Sequence, residues 1–354
     1  MRSNLQNRLK SESFLSTQKR QAPTIHDVAH HAGVSSMTAS RVVNGYAHVR
    51  PAVRTKVEES IKALGYRPNS LARATRTGVT QIGMLYSNAG SSNLSNYLMG
   101  AFRQASLSGC QLLIEPSQAH PTPAQAVRKL IDAGVGAIIL PPPLCDDEDI
   151  LATLASEGVG AVSFATALPR DGVPAVFIDD FEGVRTMTQH LLDLGHVDIA
   201  FIGGDPTHST AQRREQAFRE TMAAAGVEVR EEYMAEGGFS YRGGLDAARH
   251  LLSLRRRPSA IFAANDDMAA AASAVAQGLG LSIPGDVSIA GFDDTSVATT
   301  VWPELTTIRQ PIADMAASAV LLAMDLAKSG ADPGSHVKAE LQLMSRASTA
   351  PPHA

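Results

Sequence analysis

Cysteine and long apolar runs are scarce in this sequence. Its 354 residues include two cysteines, Cys110 and Cys145, and neither sits in a CxxC or CxxH spacing. A disulfide scaffold is thereby excluded, and no zinc site is suggested. No segment has the about 18–20 strongly apolar residues that a membrane span needs. One uncharged stretch, Met268 to Gly285, is rich in alanine and is broken by Gly278, Gly280, Pro284 and Gly285. The N-terminus, MRSNLQNRLKSESFLSTQKRQAP, is polar throughout and has no apolar region of a secretory signal. No GxSxG, HExxH or P-loop lysine motif occurs, and Gly203-Gly204-Asp205 lacks the remaining glycines of a dinucleotide fingerprint. The expectation is a cytoplasmic protein that is not an enzyme, with no cofactor, no metal and no membrane contact.

What is present is unevenly distributed. The formal net charge of −4 averages two unlike parts. Residues 1–78 hold 13 Lys+Arg against 4 Asp+Glu, a net of +9, and the remainder holds 18 against 31, a net of −13. A basic head on an acidic body suggests that the head meets a polyanion and the body does not. The 44% of apolar residues can support real cores.

From residue 81 onward, short apolar strands alternate with amphipathic helices. Strands are expected at 82–86, 111–115, 137–140, 161–164, 175–178, 199–202, 260–263 and 287–290. Helices are expected at 96–108, 124–133, 181–194, 211–225 and 242–254. That rhythm predicts doubly wound parallel sheets covered by helices, and the length favours two similar lobes. Ligands in such folds bind beyond the carboxyl ends of strands, so the segments after them are the ones to watch. One is Pro141–Asp146, where Asp146 to Asp149 read as an acidic cap on a following helix.

The head reads as a helix-turn-helix. Thr24 with Asp27 three residues later forms a capping-box arrangement, and Ile25, Val28 and Ala29 make one apolar stripe. Ala32-Gly33-Val34 is a tight turn, and Ser35 caps a second helix. That helix points Ala39, Val42 and Val43 inward and Ser36, Met37, Ser40 and Arg41 outward. A third helix starts at Pro51 and ends at Leu64 before Gly65. His26, His30 and His31 on the first helix read as a solvated, phosphate-facing surface rather than a metal site.

These letters resemble the DNA-binding head of the LacI family of bacterial repressors. The likeness runs through Thr24, Asp27-Val28-Ala29, Ala32-Gly33-Val34-Ser35, Ser40-Arg41-Val42-Val43-Asn44, Gly65-Tyr66 and Pro68-Asn69. It continues in GHVDIAFIGG, AANDDMA, IPGDVSIAGFDDT and LTTIRQP, so that it covers residues 24–350. The resemblance implies an α/β fold of two doubly wound parallel-sheet lobes, periplasmic-binding-protein-like, preceded by a small all-α helix-turn-helix domain. The implied boundaries are a disordered basic arm at 1–22, the DNA-binding domain at 23–67, a hinge helix and linker at 68–80, and an effector-binding and dimerisation domain at 81–350.

Function follows from the same likeness: a sequence-specific transcriptional regulator, read as a repressor, that binds a pseudo-palindromic double-stranded operator as a homodimer. Bases would be read by Ser36, Met37 and Arg41, with Thr24, Ser35, Thr38, Ser40, Asn44 and His48 on phosphates. The hinge would contribute Asn69, Leu71, Ala72, Arg73, Thr75 and Arg76 in the minor groove, although Thr75 stands where the family usually has a leucine wedge. The effector would meet Asn93, Leu94, Arg214, Phe239, Asn265 and Asp293 between the lobes. Their chemistry suits a sugar or glycoside: carboxylate, guanidinium and amide for hydroxyls, and an aromatic ring for the sugar face. A purine-type corepressor is the alternative effector, and a solute-binding protein the alternative class. Taken without the resemblance, Asp293 and Asp294 read as caps of the next segment and Arg214 as a surface ion pair.

Overall fold

A computed structural model describes residues 23–43, 46, 48–66, 79–88, 90–329 and 335–353. The chain divides into two units, Met1–Asn69 and Ser70–Ala354. The arm expected at 1–22, Arg67, and residues 68–78 of the hinge expected at 68–80 lie outside the described residues.

The first unit is built from three helices, α1 (Ile25–Ala32), α2 (Ser36–Val43) and α3 (Pro51–Leu64). The capping box at its start is complete. Asp27 Oδ2 accepts from the Thr24 amide and hydroxyl, each at 2.7 Å, and Thr24 Oγ1 accepts from the Asp27 amide at 3.4 Å. Gly33 ends α1 with φ of 66°, a left-handed value that lets the chain turn into α2 without a Cβ clash. Val28, Ala29, Ala39, Val42 and Val57 form the buried centre, with Ile25, Leu64 and Tyr66 packed around it.

The second unit contains two parallel sheets. The first lobe runs β1 (Gln81–Tyr86), α4 (Leu94–Ser108), β2 (Gln111–Pro116), α5 (Pro123–Ala133), β3 (Ala137–Leu140), α6 (Glu148–Glu157), β4 (Gly160–Phe164) and β5 (Ala175–Phe177). The chain then enters the second lobe with α7 (Asp180–Asp193), β6 (Ile199–Gly203), α8 (Ser209–Ala224), β7 (Met234–Glu236), α9 (Tyr241–Ser253), β8 (Ala260–Ala263), α10 (Asp266–Gly278), β9 (Ser288–Ala290) and α11 (Ser296–Thr300). After β10 (Thr307–Arg309) it returns to the first lobe as α12 (Ile312–Ser329) and β11 (His336–Lys338), then crosses back as β12 (Gln342–Met344). Strand order is β11-β5-β4-β3-β1-β2 in one sheet and β7-β6-β8-β9 in the other, while β10 and β12 pair antiparallel.

In each sheet, successive connections wind in opposite directions from one central strand, β1 or β6. The crevice at such a reversal, beyond the strand carboxyl ends, is where this fold leaves room for a ligand. All eight strands expected from the sequence are present within one or two residues. The helix α10 is not revealed by periodicity, because its alanines are buried nearly all round and no polar face marks the repeat. No helix among the described residues is long and apolar enough to cross a membrane.

The helix α12 seats against the first sheet only because small residues admit it. A Cβ on Gly100 of α4 would stand 2.2 Å from the Ala313 carbonyl oxygen, and one on Gly136 would stand 2.6 Å from Ala327 Cβ. Gly100→Ala is therefore expected to destabilise the second unit by about 2 kcal/mol or more through overpacking. Urea unfolding checks this, and an unchanged midpoint would show that α4 and α12 can part freely.

Candidate functional site

The three-helix unit presents the expected reading residues on its surface. Met37 is 65% exposed and Arg41 is exposed, whereas Ala39 and Val42 on the same helix are buried. Thr24, Ser35 and His48 are exposed, and Ser36, Thr38 and Ser40 half-buried. Several are already tied within the unit. The Ser35 and Thr38 hydroxyls lie 2.8 Å apart, Ser36 Oγ is 3.0 Å from His26 Nδ1, and the Thr38 amide donates to Ser35 Oγ at 3.2 Å as the cap of α2. His31 differs from its solvated expectation in one respect, since its Nδ1 is 2.9 Å from Ser60 Oγ and thus helps join α1 to α3. Tyr46, absent from the expected set, is 61% exposed. Asn44, Asn69, Leu71, Ala72, Arg73, Thr75 and Arg76 lie outside the described residues.

In the second unit, Asn93, Leu94, Arg214, Phe239, Asn265 and Asp293 all line a single cavity of about 220 Å³ between the lobes. They come from the segments following β1, β6, β7, β8 and β9, as the winding requires. Both lobes bring polar and aromatic groups. The first supplies Tyr86, Ser87, Asn88, Ser91, Asn93, Tyr97 and Phe164; the second supplies Asp180, Arg214, Phe239, Asn265 and Asp293. Tyr97 and Phe164 stack with centroids 4.4 Å apart. Phe239 holds φ of 53°, and its ring lies so close over Gly204 that a Cβ there would meet it at 2.1 Å.

Arg214 organises the polar wall. It is 6% exposed, not on the surface. Nε donates to Asp180 Oδ1 at 2.7 Å, Nη1 donates to the Ala264 carbonyl at 2.5 Å, and Asp293 Oδ1 stands 3.8 Å away. Its guanidinium carbon also lies 3.9 Å from the centroid of Phe292. Asp293 accepts from Asn93 Nδ2 at 2.7 Å and from Gln310 Nε2. Neither Asp293 nor Asp294 caps the next helix; Thr295 takes that position, and Asp294 pairs with Arg309 and Arg346. Asn265 has two duties, because its Oδ1 caps α10 through the Met268 amide at 2.9 Å and its Nδ2 donates to the Phe239 carbonyl at 3.3 Å.

Asp180 and Gln310 are polar cavity residues that were not expected from the sequence. Asp180 begins α7 and is buried, and nothing around it in the sequence marks it as other than a helix-capping acid. Burial raises its carboxyl above the ordinary range, and Arg214 pulls it part of the way back. Burial likewise pushes Asp293 well up, against the opposing pull of Arg214. Behind them, Asp266 is lifted by burial to about 7, while its bonds from Thr307 and Thr295 lower it.

Three contacts join the rims of the cleft. Ser92 donates to Asp267 from its amide at 3.2 Å and its hydroxyl at 2.5 Å, Asn93 reaches Asp293, and Ser209 Oγ donates to Asp146 Oδ2 at 2.5 Å. The acidic cap expected at 146–149 is thus corrected at its first member. Asp147 caps α6 by accepting from the Ile150 amide at 3.0 Å, and Asp146 instead faces the other lobe. Thr166 turns its hydroxyl to Asp146 at 3.3 Å and does not line the cavity.

Comparison with known proteins gives two family matches: "Bacterial regulatory proteins, lacI family" over residues 24–69 and "Periplasmic binding protein-like domain" over 188–349. The chain is 32% identical to catabolite control protein A of Priestia megaterium over 304 residues, 84% of this chain and 91% of that one. Among solved structures, it resembles a complex of the transcriptional regulator CelR with cellobiose, at 30% identity and a TM-score of 0.70, covering 92% of this chain and 99% of that one. It also resembles the lac repressor dimer bound to operator and an anti-inducer, at 26% identity and a TM-score of 0.68, covering 93% and 100%.

Two outcomes follow from the buried charges. Arg214→Ala strands Asp180 and Asp293 without their cation, and removing one partner of a buried pair costs about 3–5 kcal/mol; chemical denaturation measures it, and a loss below about 1 kcal/mol would contradict the pairing. Asp266 binds its proton more tightly folded than unfolded, so its contribution to stability is complete below about pH 4 and is lost as pH rises through about 7. Across that window the melting temperature of Asp266→Asn should gain on that of the parent protein, and a constant difference would refute the assignment.

Proposed function

The chain belongs to the lacI family of bacterial regulatory proteins, and from that premise we propose that it is a transcriptional repressor: its first unit binds a pseudo-palindromic operator, and its cleft binds a small carbohydrate effector. The observation that carries the effector half is the convergence of Asn93, Leu94, Arg214, Phe239, Asn265 and Asp293 on one cavity. Carboxylate, amide and guanidinium groups beside the Phe239, Tyr97 and Phe164 rings match a ring with a hydroxylated edge and an apolar face. The relative solved with cellobiose supports a carbohydrate.

On DNA, Met37 offers apolar contact to a thymine methyl, Ser36 pairs with several bases, and Arg41 supplies the more discriminating donor set. Thr24, Ser35, Thr38, Ser40, Asn44 and His48 hold phosphates, and the hinge residues Asn69, Leu71, Ala72, Arg73, Thr75 and Arg76 meet the minor groove. The chain acts as a homodimer whose two-fold axis the operator mirrors, which the lac repressor dimer on its operator supports. A ligand that binds one arrangement of the lobes better than another shifts the protein toward it, and only by that difference in affinity.

Gel shifts test the DNA half. At about 150 mM salt the protein should prefer a palindromic site selected from random duplex, with affinity falling steeply as salt rises. Arg41→Ala should cost about 1–3 kcal/mol and relax discrimination at one position of each half-site. Equal binding to random duplex would defeat this reading. A thermal-shift screen of sugars and nucleobases tests the effector half, and stabilisation by a purine alone would change the effector class.

A further inference from the structure

Two buried acceptors on the cleft walls meet no hydrogen-bond partner among the described residues: Asn93 Oδ1 and Asp180 Oδ2. Both residues line the cavity, one from each lobe. Their other side-chain polar atoms are engaged, since Asn93 Nδ2 donates to Asp293 and Asp180 Oδ1 accepts from Arg214. Each residue is therefore held in one orientation with its remaining oxygen unused. An unpaired buried carboxylate oxygen costs more than an unpaired neutral one, and a ligand donor at that point relieves the cost.

Arg214, the one arginine or lysine lining the cavity among the described residues, is already engaged. Arg214 faces Asp180, the Ala264 carbonyl and Asp293, and His208 at the rim stands 4.0 Å from Asp205. An incoming phosphate or carboxylate would meet the Asp180 and Asp293 carboxyls with no arginine or lysine of the lining free to pair with it.

From this geometry we infer that Asp180 is a direct effector contact that sets specificity. With Asn93 it takes two hydroxyl donors of an uncharged polyol ring, and the cleft rejects the phosphorylated or carboxylated form of the same sugar. The inference rests on the carbohydrate reading above and adds a residue and a selection rule to it. A hydroxyl lost from the ring leaves the carboxylate oxygen unpaired again, so recognition here depends on donation and not on shape alone.

Titration calorimetry on the full-length protein tests it, with D-glucose, D-galactose, D-mannose, D-ribose and their methyl glycosides as probes. For the tightest binder, its single-deoxy and deoxyfluoro analogues and its phosphate ester follow. At two ring positions, deoxyfluoro should weaken binding as much as deoxy does, by about tenfold, because fluorine cannot donate. At one of them the deoxy penalty should disappear in Asp180→Asn, whose amide points where the oxygen was. The phosphate ester should bind at least about tenfold more weakly than its parent sugar. Fewer than two donor positions, a deoxy penalty that persists at every position in Asp180→Asn, or a phosphate ester binding as well as the neutral sugar would each overturn the inference while leaving a carbohydrate effector in place. Binding by none of the sugars would instead remove the carbohydrate reading beneath it. The fluorine series uses the unaltered protein, so it decides the matter even if Asp180→Asn fails to fold.

Discussion

A guanidinium taken out of water must be neutralised and hydrogen-bonded in place, and Arg214 imposes that requirement on the second lobe. It arises from α8, binds the first residue of α7 and the carbonyl after β8, and lies near the residue after β9. Four segments distant in sequence are thereby fixed around one charge. The strained backbone beside it fits this view, because Phe239, Asp293 and Asp294 all hold positive φ without being glycine. Such conformations persist where the surroundings over-determine them, and they gather at sites that have to be preorganised.

Around this charge both lobes bring polar groups and rings to the cleft. The lobe that contains Arg214 offers Asp180, Asn265 and Asp293 beside the Phe239 ring, and the opposite lobe offers Tyr86, Tyr97 and Phe164 with Ser87, Asn88, Ser91 and Asn93. A ligand that satisfies both walls needs both lobes, so its affinity depends on their arrangement. The rim contacts of Ser92 with Asp267 and Ser209 with Asp146 are short, side-chain mediated and partly exposed. Bonds of that kind contribute about 0.5–1.5 kcal/mol each, or somewhat more to a charged acceptor. They can hold the two rims together without locking them.

The charge split acquires a physical sense in the same frame. A head of +9 is drawn to a duplex through phosphate contacts and counterion release, and a body of −13 is repelled from it. Binding orientation is biased before any base is read. On the proposed assignment Met37, Ser36 and Arg41 are the base-reading side chains, so much of the affinity has to come from the proposed phosphate contacts.

Capping boxes, turn glycines and strand-helix alternation were legible along the chain because each is set by neighbours within a few residues. Thr24 with Asp27, Gly33, Pro51 and the eight strands are of that kind. Five of the six cleft residues follow a strand at its carboxyl end, and Arg214 lies near the start of the helix that comes after β6, so the alternation pointed toward them as well. Asp180 was not legible, since an aspartate at a helix start is ordinary until a cation 34 residues away is folded onto it. Gln310 and the turn of Asp146 toward Ser209 have the same origin in long-range contacts. The helix α10 escaped notice for a related reason: burial on all sides erases the polar stripe that periodicity detects. Local order was written in the residues themselves, whereas the pairing of buried charges and the two orphaned acceptors exist only once distant segments share a space that excludes water.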